Sequence, residues 1–101
     1  MDNRPNLQTV FEKLLGSRNV YFQPPASVQM KYPAIVYSRK TFKQKFANDR
    51  VYIQKPCYEV ILIDKNPDSK FVEMILQLQY CSFDRHYEKD NLNHDVFTLY
   101  Y

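Results

Sequence analysis

Glycine is almost missing from this chain: among 101 residues there is one, Gly16. Loops that wrap a phosphate need several glycines so that the backbone can close on the anion, so the usual nucleotide-binding loops are excluded. Tryptophan is absent, and there are two cysteines, Cys57 and Cys81. Neither has a second Cys or His at zinc-ligand spacing, and both sit in or beside apolar runs, so they read as reduced core residues. No apolar run approaches the ~20 residues that a membrane-spanning helix needs. The opening Met1-Asp2-Asn3-Arg4-Pro5 has no apolar signal-peptide core. A soluble protein kept in the cytoplasm, with no membrane partner, is the expectation.

Hydrophobic residues make up 45% of the chain and charged residues 25%, the balance of a folded protein. The length fits one ordinary domain, residues 1–101. Nine tyrosines and seven phenylalanines favour either protein interfaces, where a ring is buried and a hydroxyl is wet, or the strands of a small sheet. The net charge of +3 is too mild to imply nucleic-acid binding, but its distribution is uneven. Residues 39–55 hold Arg39, Lys40, Lys43, Lys45, Arg50 and Lys55 against one acid, Asp49. Residues 84–95 hold Asp84, Glu88, Asp90 and Asp95 against Arg85 and Lys89. Complementary segments of this kind steer association and fix register between subunits, which nominates Lys43, Lys45, Arg50, Asp84, Glu88 and Asp90 as interface residues. A solvated basic hairpin and a solvated acidic turn are the plainer alternative.

Leu7, Val10, Phe11, Leu14 and Leu15 are spaced as one face of a helix, over residues 5–15, with Gly16 placed as its left-handed C-cap. Pro24-Pro25 after Val20-Tyr21-Phe22 marks a loop or edge segment. Residues 34–37 read as a short buried strand. Residues 41–47 and 50–54, around Asn48-Asp49, read as a basic hairpin. The apolar run 57–64 reads as the central strand. Asn66-Pro67-Asp68-Ser69 precedes a short helix that runs to about Leu78. Two strands follow, around a polar turn at 88–93. The order α-β-β-β-α-β-β predicts an α+β fold, with two helices packed on one face of a mainly antiparallel sheet of about four to five strands and a basic β-hairpin extension. Leu14 and Ile61 are expected in its core.

Two constellations could carry chemistry. His86, His94, Asp84 and Asp95 could ligate a metal or move protons, but the histidine spacing fits no metal pattern and Ser82 is the lone nucleophile nearby. Hydrogen bonding is the expected role: Asp84 with Arg85 at the turn, and His94-Asp95 anchoring the last strand. No catalytic residue, cofactor or metal is expected. Phe42, Phe46 and Tyr52 interleaved with bases also describe a single-strand nucleic-acid platform. A hairpin with one packed and one wet face accounts for the same pattern, so no specific nucleic-acid binding is expected.

The segments Tyr21-Phe22-Gln23-Pro24-Pro25, Met30-Lys31-Tyr32-Pro33-Ala34-Ile35-Val36-Tyr37, Ile63-Asp64-Lys65-Asn66-Pro67-Asp68-Ser69, Tyr80-Cys81-Ser82-Phe83-Asp84-Arg85-His86-Tyr87 and Asp90-Asn91-Leu92-Asn93-His94-Asp95-Val96-Phe97-Thr98-Leu99-Tyr100 cover nearly the whole chain. They resemble the tail-terminator or tail-completion proteins of long-tailed bacteriophages and prophages. The resemblance implies a non-enzymatic virion subunit of the tail or neck, assembled in the host cytoplasm. It would form a hexameric ring on the tail tube protein, end polymerisation and present a surface to the head–tail connector. Head-closure and adaptor proteins of the same region have similar lengths and remain the alternative.

Overall fold

The computed structural model describes residues 4–47 and 50–101, and side chains outside residues 41–55. The chain forms α1 (Arg4–Leu15), β1 (Val20–Phe22), β2 (Ala34–Ala47), β3 (Arg50–Asp64), α2 (Phe71–Leu76), β4 (Cys81–Lys89) and β5 (Leu92–Tyr100). The strands make one open, five-stranded mixed sheet in the order β1-β2-β3-β5-β4. β1 runs parallel to β2, and the other pairs are antiparallel. The α+β class agrees with the sequence reading, whereas Val20–Phe22, expected as a loop or edge segment, forms the edge strand β1.

Alternation along the strands decides which side chains meet the helices. Ile35 and Tyr37 of β2, Tyr58, Val60 and Leu62 of β3, and Phe97 and Leu99 of β5 form one buried cluster with Leu7, Phe11 and Leu15 of α1 and Ile75 of α2. Both helices therefore cover the same sheet face. Phe11 meets the Tyr37 ring edge-on at 5.2 Å, and Phe22 lies tilted 5.0 Å from the same ring. The buried Tyr37 hydroxyl donates to Gln8 Oε1 at 2.5 Å. Burial raises its pKa despite a hydrogen bond with Arg4.

Two expected core residues are placed differently. Leu14 flanks the cluster and is half-buried, because Leu7, Phe11 and Leu15 take the deepest positions of the helix. Ile61 is also half-buried. Strand alternation turns it away from Val60 and Leu62, onto the face without helices.

Gly16 adopts φ 75° and its N–H reaches Glu12 O at 2.9 Å, the left-handed helix end expected of it. The two short strands expected at 34–37 and 41–47 are one strand, β2, with a register shift between Arg39 and Thr41. The runs at 50–54 and 57–64 are likewise joined into β3 through Pro56. Proline is tolerated there because its carbonyl accepts from Tyr101 N at 3.1 Å. Its missing N–H thus faces away from β2, toward the side of β5 just past the last β3–β5 pair, Cys57↔Tyr100, so the β2–β3 ladder loses no bond. Helix α2 is shorter than expected, six residues. Ser69 receives Phe71 N on its Oγ at 3.4 Å and Val72 N on its carbonyl at 3.3 Å.

Candidate functional site: the outer edge of the sheet

Strand β4 ends the sheet, and every residue from Ser82 to Lys89 is exposed, with Cys81 half-buried. Asp90 and Asn91, at φ 54° and 61°, form a two-residue turn of the type that matches strand twist, so the β4–β5 hairpin is tight. The strands are accordingly longer than the expected turn at 88–93 allowed. β4 faces β5 from Cys81↔Leu99 to Lys89↔Leu92, with a bulge between Phe83 and Arg85.

The bulge resets the phase of the strand. Cys81, Phe83, His86 and Glu88 fall on the helix side and Ser82, Arg85, Tyr87 and Lys89 on the other, with Asp84 in the bulge. His86 Nδ1 and Asp95 Oδ1 are 2.7 Å apart, the carboxylate being 8% exposed and the imidazole 40%. On the opposite face Tyr87 stacks on His94 at 4.6 Å, with the rings 11° from parallel, and His94 Nδ1 lies 3.1 Å from Leu92 O. The register thus parts the two histidines, one on each face, so the four residues weighed as a metal or acid/base cluster do not converge. Among the described residues no group of three or more His, Cys, Asp or Glu side chains could hold a metal. Asp84 accepts from Arg85 Nη1 at 2.8 Å, as the sequence reading expected. Cys81 is held up to about pKa 11 by burial.

Beside this edge lies apolar surface that the sequence reading did not single out. Phe83 packs edge-on against Phe97 at 5.6 Å yet remains 46% exposed, and Tyr80 is 50% exposed. Met74 and Leu76 of α2, the helix that touches β4, are exposed too. The signal was available in principle: α2 carries apolar residues at Phe71, Val72, Met74, Ile75 and Leu76, too wide an arc for a helix with a wet face.

Of the six nominated interface residues, Asp84, Glu88 and Asp90 share the exposed β4 edge and its turn. Lys43, Lys45 and Arg50 lie on β2 and β3, and their side chains fall outside the described residues. Backbone register still separates the two groups. The pairs from Phe42↔Pro56 to Ala47↔Arg50 run on past Cys57 as a two-stranded arm. The Asp90-Asn91 turn lies at the other end of the sheet, next to the Asp64↔Asn93 pair. The intervening β3–β5 ladder, from Cys57 to Asp64, is about 23 Å long at ~3.3 Å per residue. The basic arm and the acidic turn of one chain are opposite poles.

No helix among the described residues is long and apolar enough to cross a membrane. Comparison with family models, with curated proteins and with solved structures finds no match.

Proposed function

We propose that this chain is a structural assembly subunit, a tail-terminator-like protein that forms a ring with its own copies on the end of a phage tail tube, stops tube growth and offers a face to the head–tail connector. The observation that supports it is the opposition of charge across the sheet. A basic arm at one end and an acidic turn at the other cannot meet within one chain but can meet head to tail between chains. Such a heterologous contact, repeated, gives a ring when the rotation closes and a filament when it does not. The tail station and the sixfold count come from the resemblance of the segments quoted above. Exposed apolar surface at the β4 edge also suits a protein partner better than a solvated end.

Deletion of the coding sequence from the phage or prophage that carries it tests the reading by electron microscopy. Tails of uncontrolled length without heads are the expected product. Tails of normal length that fail to join heads would move the chain to the head-closure or adaptor role. Normal infectious particles would refute a virion function.

A further inference from the structure

We propose that the outer edge of β4 is the seat for the β2–β3 arm of a neighbouring copy, which extends the sheet by a further strand. The inference rests on the assembly reading above and names its contact.

The backbone phase shows what this edge offers. In a two-residue hairpin the residues flanking the turn, Lys89 and Leu92, form the hydrogen-bonded pair, so His86 and Glu88 direct their N–H and C=O groups outward. Below the bulge, Tyr100 N donates to Tyr80 O at 3.1 Å. Ser82 therefore also faces β5, and Cys81 and Phe83 face outward. An open row of donors and acceptors flanked by Phe83 and Tyr80 is the arrangement that strand addition uses, with backbone bonds supplying affinity and side chains supplying choice.

Charge selects the occupant. Pairing of β4 with β4 of a second copy is opposed in each symmetric antiparallel register built on the outward residues above the bulge, His86 and Glu88. Centred on Tyr87 it sets Arg85 against Lys89, centred on His86 it sets Asp84 against Glu88, and centred on Glu88 it sets that residue against itself. Like charges directly opposite are destabilising. The arm avoids this conflict, since residues 42–55 hold four bases, Lys43, Lys45, Arg50 and Lys55, and one acid, Asp49, which suits Asp84, Glu88 and Asp90. It also has edges to give. Among the described residues β1 pairs β2 only at Ile35–Tyr37, and β5 pairs β3 only from Cys57 on, so the arm beyond has no third strand.

The test is disulfide trapping in the full chain with Cys81→Ser as background. Glu88→Cys is made in one sample. Gln44→Cys or Gln54→Cys, which oppose each other across the arm, is made in another. Air oxidation of the mixture at assembling concentration should yield a mixed dimer that neither sample yields alone. Glu88→Pro removes an outward N–H and no ladder bond to β5, so it should abolish self-association in sedimentation while far-UV circular dichroism is unchanged. Assembly without the mixed disulfide, or Glu88→Cys coupling to itself, would overturn this contact and leave the assembly reading standing. A chain that self-associates neither alone nor on added tail tubes would overturn both.

Discussion

Leu7 and Leu14 lie seven residues apart on the same helix, so cutting either back to alanine removes the same three carbons and gains the same helix propensity. Their surroundings differ. Leu7 is fully buried in the cluster, whereas Leu14 is half-buried at its margin. At ~0.8 kcal/mol per buried methylene, plus the void left in a packed core, Leu7→Ala should cost ~3–5 kcal/mol. For Leu14→Ala only about half the transfer term applies and water fills the space, so ~1 kcal/mol is expected. A gap of ~2–4 kcal/mol corresponds to about 10–30 °C in Tm for a domain of this size. Urea denaturation followed by circular dichroism, with the slope unchanged between variants, reads the difference. Equal losses, or a larger one for Leu14→Ala, would mean that the last turn of α1 is rolled toward Leu14, and would refute the packing described for the helix.

Asn91 holds φ 61°, which a β-branched residue tolerates poorly, so Asn91→Val should lower stability by ~1–2 kcal/mol in the same assay; an unchanged midpoint would remove the tight turn. Cys81, with its pKa raised to about 11 by burial, should be alkylated by iodoacetamide at pH 8 roughly a hundredfold more slowly than a free cysteine, because the thiolate is the nucleophile; labelling at the free rate, read by mass spectrometry, would contradict its burial. His86→Ala leaves the buried Asp95 side chain without its imidazole partner and should cost ~1–3 kcal/mol, while His86→Gln should recover part of that loss; equal stability of all three proteins would show that the pair is incidental.

The features legible in the sequence were those that local chemistry enforces. The leucine spacing of α1 and the cap at Gly16 follow from helix geometry, and the order of elements follows from turn residues such as Asn66-Pro67-Asp68-Ser69. The phase of β3 did not follow. Val60-Ile61-Leu62-Ile63 is apolar at every position, so no alternation tells Ile61 from Leu62, and only the docking of α1 and α2 chooses the core face. The separation of His86 from His94 was equally hidden. It depends on the two-residue turn, which sets His86 opposite Asp95 and Tyr87 opposite His94. Charge clustering was visible along the chain, yet its meaning depends on strand order. Once β5 stands between β3 and β4, the bases of the arm and the acids of the turn become poles of one chain rather than neighbours in it.

Immunogold labelling of purified particles with an antibody against this chain tests the central claim most directly. The account predicts label confined to the head-proximal end of the tail. Particles that carry no label, or label spread along the tube or over the head, would contradict it.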